Sequence, residues 1–161
     1  LDYKGFIFFG LMNDQGIPKV IEYNCRMGDP ETEVVIPRIA NDFVELLTAT
    51  SQQRLHEIEL KLDSRTAAAV VAVSGGYPGD YEKGKVITGL EEAPLENSLV
   101  FHAGTAVQNG QVVTNGGRVL VVTSFGDNIP EAAEQSNYML EQLYFDDMYY
   151  RSDIGYEFND V

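Results

Sequence analysis

The stretch VIEYNCRMGDPETE, residues 20–33, runs from an apolar pair directly into a dense set of polar side chains. A carboxylate, an amide and a guanidinium stand at alternate positions, on Glu22, Asn24 and Arg26. Residues two apart in an extended strand project from the same face, so these three groups should point to one side, together with Val20. The stretch therefore predicts a strand whose end presents polar groups toward a common ligand.

The chemistry of these groups suits a hard cation beside a phosphate. Glu22 and Asn24 offer oxygen donors, and Mg²⁺ usually takes only one or two protein ligands in addition to phosphate oxygens. A guanidinium such as that of Arg26 binds phosphate in a bidentate manner. A plainer interpretation stays open, in which Glu22 and Arg26 form a surface ion pair, because E-x-N-x-R is a weak pattern by itself.

Helical signals follow this strand. Asp29 and Pro30 predict a helix start, with Asp29 as the N-cap and Pro30 at the first helical position. Pro37 should interrupt that helix, and the apolar spacing beyond it predicts a second helix over about 38–50. Capping alone is sufficient to explain Asp29, so a catalytic role for this residue competes with a structural one.

The residues before the stretch predict a β-hairpin, since an apolar run at 5–12 is followed by a turn at 13–16 and a strand from Pro18. We place a domain boundary after residue 65, which gives domains 1–65 and 66–161. The sequence of the second domain predicts short strands that are joined by Asn-Gly and Gly-Gly turns and followed by an amphipathic helix. The predicted elements are strands at 66–74, 100–107, 111–114 and 118–124 and a helix at 130–143.

These elements predict an α+β fold. Its first part is a hairpin with helices, and its second is a small, mainly antiparallel, barrel-like β domain with a packed helix.

Composition narrows the class of protein. The 161 residues are 44% hydrophobic, which is enough for a real core, and the net charge is −14. Such an acidic chain is repelled by nucleic acid and by anionic membrane surfaces, so we expect neither as a partner. The lone cysteine, Cys25, suits a reducing, cytoplasmic compartment, and we interpret it as a buried structural residue rather than a nucleophile.

The first residue is Leu1, and the chain opens within an apolar run that is too short to span a bilayer and lacks a signal cleavage site. We therefore expect that the sequence is a piece of a longer protein.

Several motifs resemble the glycinamide ribonucleotide synthetase family, also called phosphoribosylamine–glycine ligases, of the ATP-grasp superfamily. RMGDPETE at 26–33 resembles the RxGDPExE/Q motif of that family, and IEYN at 21–24 resembles its metal-binding strand. The other matches, in order along the chain, are GGYPGDYEKG (75–84), FHAGT (101–105), NGGRVLVVT (115–123) and RSDIGYEF (151–158).

The resemblance implies a ligase that joins glycine to 5-phosphoribosylamine with ATP, through a glycyl phosphate, in de novo purine synthesis. It implies that Glu22 and Asn24 bind Mg²⁺ or Mn²⁺ and that Arg26 stabilises the transferring phosphoryl group. Asp29 and Glu31 would then face the amine substrates. Many ATP-grasp enzymes have a further acidic ligand on the preceding strand, where this chain has Gly10, so the number of metal ions stays open.

The second domain resembles the C-terminal domain of the same family. Lys83 and Arg118 follow glycine-bearing turns, and we predict that they bind a ribose phosphate. The alternative is that these turns only close a small sheet, and His102 is interpreted as a hydrogen-bonded wall residue.

The lid over ATP and the adenine-binding segment of the family have no counterpart in these residues, so we expect the isolated chain to be inactive. A second hypothesis is a non-catalytic binding or scaffold module, reused in another ATP-grasp enzyme.

Overall fold

The structure of the chain is a computed structural model, and it describes residues 2–91 and 96–158. The fold divides into two compact units, of which one ends at Asp63 and the other begins at Ser64. The identity of the two parts, as the end of an ATP-grasp domain and a separate C-terminal domain, stays a prediction. In the described residues, no helix is long and apolar enough to cross a membrane.

The first unit begins with a β-hairpin of β1 (Phe8–Asp14) and β2 (Ile17–Asn24), which pair antiparallel. The turn residues Gln15 and Gly16 both have positive φ, at 53° and 87°, which matches the right-handed twist of the two strands. A β-bulge interrupts the register between Gly10 and Leu11. Sequence analysis predicted the hairpin but not the bulge.

Two short helices follow the hairpin. α1 (Glu31–Val35) runs into a 3₁₀ turn at Ile36–Arg38, in which Pro37 prevents a continuous α-helix. α2 (Phe43–Ser51) starts later than the predicted helix at 38–50. Its N-cap is Asp42, whose carboxylate accepts hydrogen bonds from two backbone N–H groups of the first turn.

An antiparallel sheet with the order β3-β7-β4 forms the centre of the second unit, and a separate hairpin pairs β5 with β6. The predicted strand at 100–107 is split into β4 and β5, because the backbone N–H groups of Ala103 and Gly104 both bond to the Val119 carbonyl. The strand bounds are β3 (Thr66–Val73), β4 (Ser98–His102), β5 (Thr105–Gln108), β6 (Gln111–Thr114) and β7 (Arg118–Gly126).

Helix α3 (Ile129–Glu141) packs on β3 and β7, as the amphipathic pattern predicts. Its N-cap Asn128 accepts a hydrogen bond from the Glu131 N–H at 2.9 Å. A buried hydroxyl on Ser136 donates to the Ala68 carbonyl at 2.9 Å and ties the helix to the sheet. Helix and sheet enclose a core of Val70, Ala72, Ile87, Val119, Leu120, Val122, Met139, Leu140, Leu143 and Phe145.

The α+β prediction, with antiparallel sheets and one packed helix, is thereby confirmed.

Candidate functional site

The end of β2 brings the two predicted metal ligands to one face. Glu22 pairs with Gly10 and Asn24 pairs with Phe8, and those partners lie two residues apart on β1. Glu22 and Asn24 therefore share a face, with Cα atoms about 6.6 Å apart in an extended strand. Glu22 is exposed and Asn24 is half-buried, so both oxygen donors are accessible.

Gly10 makes room for the Glu22 side chain. A β-carbon on residue 10 would lie 2.8 Å from Cγ of Glu22, closer than real side chains approach. The space beside Gly10 is thus occupied by Cγ of Glu22 from the partner strand.

The bulge changes which residues share the face of Glu22. Because Leu11 pairs with Val20 while Gly10 pairs with Glu22, Val20 and Glu22 lie on opposite faces. The prediction that they share a face is wrong, since the extra residue in β2 reverses the alternation of side chains.

Arg26 lies beyond the strand, which ends at Asn24. Cys25 and Arg26 form a bend, so the two-residue period does not extend to Arg26. Its Nη1 donates to the Met27 carbonyl at 3.1 Å. Cys25 is exposed and free, which corrects the prediction of a buried thiol.

The residues after the bend form a tight turn into α1. The helix begins at Glu31 with Pro30 as its N-cap, so the prediction of Asp29 as N-cap and Pro30 as the first helical residue is wrong. The Gly28 carbonyl instead accepts hydrogen bonds from N–H and Oγ1 of Thr32, at 3.1 and 2.6 Å. The Thr32 N–H at the start of α1 is thus satisfied by a backbone carbonyl, and the N-cap residue makes no side-chain capping bond.

Glu31 folds back over the buried Gly28, and its carboxylate occupies the space that a β-carbon on residue 28 would fill. Within residues 2–91 and 96–158, no group of three or more His, Cys, Asp or Glu residues is placed to hold a metal ion. Any cation at Glu22 and Asn24 must complete its coordination shell with other ligands.

Lys83 and Arg118 lie on either side of one loop in the second unit. Lys83 precedes Gly84, whose N–H donates to the Thr114 carbonyl at the end of β6 at 2.7 Å. Arg118 opens β7, where it pairs with Val73 of β3. Both side chains are exposed.

Sequence analysis missed an ion pair close to these residues. Nζ of Lys85 lies 2.6 Å from Oδ2 of Asp147 and 3.5 Å from Oε2 of Glu82. The hydrogen bond that Nζ of Lys85 donates to Asp147 is the main cause that raises the pKa of Lys85 above 10.5, and partial desolvation opposes this effect. No local sequence pattern predicts this ion pair, because its two residues lie 62 positions apart in the chain.

His102 is an exposed residue at the end of β4, where its Nδ1 lies 3.0 Å from Oγ1 of Thr105. His102 therefore forms a side-chain contact at the edge strand of the sheet. This contact does not indicate that His102 acts as a general base.

Comparisons with known proteins agree on one protein family. Residues 67–157 match the family model described as phosphoribosylglycinamide synthetase, C domain. A phosphoribosylamine–glycine ligase from Vibrio parahaemolyticus is 47% identical over 155 residues, which are 96% of this chain and 36% of that protein. The ligase of the same name from Nostoc sp. is 48% identical over 99% of this chain and 38% of its own length.

A solved structure agrees with the sequence relatives. The crystal structure of phosphoribosylamine–glycine ligase from Thermotoga maritima matches with a TM-score of 0.78 and 38% identity, over 91% of this chain and 36% of that one. The chain thus spans little more than a third of the proteins that it resembles.

Proposed function

The chain belongs to the phosphoribosylglycinamide synthetase family, whose C domain it matches over residues 67–157, and on this basis we propose that it forms part of a ligase joining glycine to 5-phosphoribosylamine. ATP is a substrate and is hydrolysed to ADP and phosphate. The product is glycinamide ribonucleotide, an intermediate of de novo purine synthesis. The names of the full-length relatives support this proposal.

The reaction takes place in two steps. The carboxylate of glycine attacks the γ-phosphorus of ATP, which gives glycyl phosphate and releases ADP. The amine of 5-phosphoribosylamine then attacks the acyl carbon, loses a proton and expels phosphate. Both steps concentrate negative charge on phosphoryl and acyl oxygens, and positioned cations stabilise that charge.

The observation that carries the proposal is the shared face of Glu22 and Asn24 at the end of β2. Two oxygen donors fit Mg²⁺ or Mn²⁺ when ATP phosphates and water complete the shell. A bound cation would neutralise charge on the phosphates. We assign the stabilisation of the transferring phosphoryl group to Arg26, and contacts with the amine substrates to Asp29 and Glu31.

The surroundings of these residues agree with those roles. The exposed guanidinium of Arg26 stands directly after the strand end, and its one described hydrogen bond goes to the neighbouring Met27 carbonyl. The Glu31 carboxylate is held back over Gly28, two residues from Arg26. The turn therefore gathers one cation and two carboxylates within six residues of the chain.

In the second unit we propose that Lys83 and Arg118 bind substrate and that the strands close into a barrel-like β domain. Isolated bridges support this closure, since Val73 pairs with Tyr149, Thr88 with Tyr144 and Val86 with Val113. We assign residues 1–65 to the end of an ATP-grasp domain and residues 66–161 to a small C-terminal domain. The partners are small molecules, with neither nucleic acid nor membrane, in the cytoplasm.

The 161-residue chain should be inactive by itself. Phosphoryl transfer requires a water-excluding site that positions ATP, and a metal held by Glu22 and Asn24 alone should bind weakly. Isothermal titration with Mg-ATP should therefore detect no micromolar affinity, and ADP release with glycine and 5-phosphoribosylamine should stay at background.

A hybrid enzyme tests the positive part of the proposal. The matching segment of the Vibrio parahaemolyticus ligase is replaced by this chain, and ADP release is measured with both substrates. Turnover that depends on glycine and on 5-phosphoribosylamine supports the proposal. A folded hybrid that binds the substrates but does not turn over favours the non-catalytic module instead.

A further inference from the structure

A cleft in the second unit lies between the outer face of α3 and the C-terminal segment at 152–156. The helix lines it with Glu134, Tyr138 and Glu141, whose spacing of four and three residues places them on one face. The opposite face of α3 carries the buried residues and packs on the sheet. The cleft has a volume of about 410 Å³, which is within the range of small-molecule binding sites.

Two contacts hold the walls of this cleft in place. Nδ2 of Asn137 donates to the Ser152 carbonyl at 3.3 Å, which joins the helix to the C-terminal segment. Gly155 has a φ of 82°, and a β-carbon on it would lie 2.8 Å from Cγ2 of Ile129 in the first turn of α3. The C-terminal segment therefore packs directly on the helix, so the cleft is formed without a ligand.

The cleft has acidic walls. Its carboxylates belong to Glu134, Glu141 and Asp153, and no Lys, Arg or His lines it within the described residues. Arg151 neutralises Asp153 through hydrogen bonds of 2.8 and 3.0 Å. The carboxylates of Glu134 and Glu141 are exposed and form no hydrogen bond or ion pair in the described ranges 2–91 and 96–158. Two unpaired negative charges therefore stand on one helix face, about 10 Å apart along its axis.

These carboxylates suit an extended organic cation better than a metal ion. In the part of the chain that the structure describes, no group of three or more His, Cys, Asp or Glu residues is placed to hold a metal. Each wall instead adds an aromatic ring, since Tyr138 of α3 and Tyr156 of the C-terminal segment both line the cleft and are 50% and 56% exposed. Aromatic faces attract ammonium groups, and methylene chains pack on the same apolar surface.

An amide oxygen between the two glutamates lacks a hydrogen-bond donor. Oδ1 of Asn137 is buried and accepts no hydrogen bond from the described residues, although Nδ2 of the same amide bonds to Ser152. That bond, at 3.3 Å, is longer than the usual range of about 2.7–3.2 Å, so it restrains the amide only weakly. A donor that enters the cleft can therefore satisfy Oδ1 once the amide turns toward it.

We propose that this cleft binds an aliphatic polyamine. Ammonium groups at the two ends of the ligand pair with Glu134 and Glu141, and the methylene chain between them lies along Tyr138 and Tyr156. An inner ammonium group donates to Oδ1 of Asn137. The net charge of −14 favours the approach of such a ligand, whereas the residues of the cleft select its length and its amines. The site is separate from the proposed catalytic residues and does not depend on the ligase reaction.

An NMR titration of the complete 161-residue chain with spermidine tests the proposal. In about 0.15 M NaCl, attraction between exposed charges beyond about 8 Å is screened, so binding reports close contacts. We expect saturable shifts of backbone amides in residues 130–141 and 151–156. Glu134→Gln and Glu141→Gln should each weaken spermidine binding about threefold and the double variant about tenfold, since exposed ion pairs are individually weak and distant ones add. Glutamine is a good helix former, so these variants should fold.

Asp80→Asn combined with Glu91→Gln is the matched control. It also removes two negative charges from the second unit, at exposed positions that do not line the cleft. Its affinity for spermidine should equal that of the unchanged chain. An equal loss of affinity in the two double variants would indicate attraction to the acidic chain as a whole and would overturn the proposal.

Titration with MgCl₂ separates polyamine binding from general cation binding. We expect Mg²⁺ to bind the cleft more weakly than spermidine does, because no three carboxylates of the described residues meet at one point. Equal affinity of Mg²⁺ for residues 130–141 would overturn the proposal.

The aromatic wall provides a further test. Tyr156→Ala should weaken spermidine binding about threefold, whereas Tyr156→Phe should retain the affinity because the ring face remains. If the NMR spectrum shows that Tyr156→Ala is misfolded, the glutamine variants still decide the site. Absence of saturable shifts in residues 130–141 with spermidine would refute the proposal.

Discussion

Glu22 lies directly across the hairpin from Gly10, and its Cγ occupies the space next to that glycine where a side chain would stand. The position of the Glu22 side chain on β2 therefore depends on the absence of a side chain at Gly10 on β1. Because Asn24 shares the face of Glu22, the position of the carboxylate decides whether the two oxygens can reach one cation.

Gly10→Ala should displace Glu22 and weaken metal binding while the hairpin persists. A methyl group 2.8 Å from Cγ forces the side chain to move. In the hybrid enzyme, the Mn²⁺ concentration for half-maximal turnover should rise about tenfold or more, as for other groups that orient a metal ligand. Met12→Ala is the control, because that exposed side chain lies on the same strand and pairs with Lys19 instead. An unchanged Mn²⁺ dependence in Gly10→Ala would remove Glu22 from the metal site.

Asn24→Leu should abolish metal-dependent turnover in the hybrid and leave its folding intact. The substitution removes an oxygen donor from a half-buried position at the strand end and adds only apolar atoms. Cys25→Ala changes the adjacent exposed residue and should retain activity, which controls for local damage to the strand end. Normal activity of Asn24→Leu at limiting Mg²⁺ would show that Asn24 is not a ligand.

Leu120→Ala should destabilise the second unit by about 2–5 kcal/mol, the usual cost of a cavity in a well-packed core. Leu120 is 0% exposed on the central strand β7, between β3 and β4. Urea unfolding of the 161-residue chain measures the change. Val107→Ala, at a side chain that is 73% exposed, should change the free energy of unfolding by less than about 0.5 kcal/mol.

Asp147→Asn should lower the pKa of Lys85. The carboxylate of Asp147 is the main cause that raises this pKa, and asparagine tolerates the left-handed backbone of residue 147. The stabilising effect of the pair is fully present below the ordinary lysine pKa of 10.5 and is lost as the pH rises through the higher folded-state value. NMR titration of the Lys85 ammonium group measures the shift.

Asp146→Asn makes the matched change next to that position, where the carboxylate bonds to the Tyr144 hydroxyl instead. It should move the pKa of Lys85 far less than Asp147→Asn does. Equal shifts in the two variants would show that Lys85 responds to the general acidity of the segment and not to its contact with Asp147.

Arg151→Gln should raise the pKa of Asp153 toward its ordinary value of 3.8. The guanidinium of Arg151 bonds to both carboxylate oxygens, at 2.8 and 3.0 Å, and these hydrogen bonds are the main cause that lowers the pKa of Asp153. The stability that this pair contributes is present above pH 3.8 and disappears as the pH falls through the lower folded-state pKa. Carboxyl ¹³C titration would contradict the assignment if the Asp153 pKa did not move.

Local sequence was sufficient to predict those elements whose backbone conformation is determined by neighbouring residues alone. The predicted strand at 111–114 coincides with β6, because Asn109 and Gly110 take the positive φ values that a tight hairpin turn requires. The amphipathic spacing located α3 to within two residues at each end. The family motifs in turn identified the candidate residues Glu22 and Asn24, which the strand period placed on one face.

Other features depended on segments distant in sequence. The bulge that separates Val20 from the face of Glu22 exists only because β2 pairs with β1 in a particular register. The split of the strand at 100–107 depends on bonds from Ala103 and Gly104 to Val119, across the sheet.

What the sequence determined by itself was therefore most of the elements, the positions of the tight turns and the residue types at the strand end, because propensity, periodicity and turn geometry act over a few neighbouring residues. The tertiary structure alone decided that Gly10 receives the Glu22 side chain and that Asp147 neutralises Lys85. Each of these outcomes results from close packing or charge pairing between backbone segments, and such contacts exist only once the chain has folded.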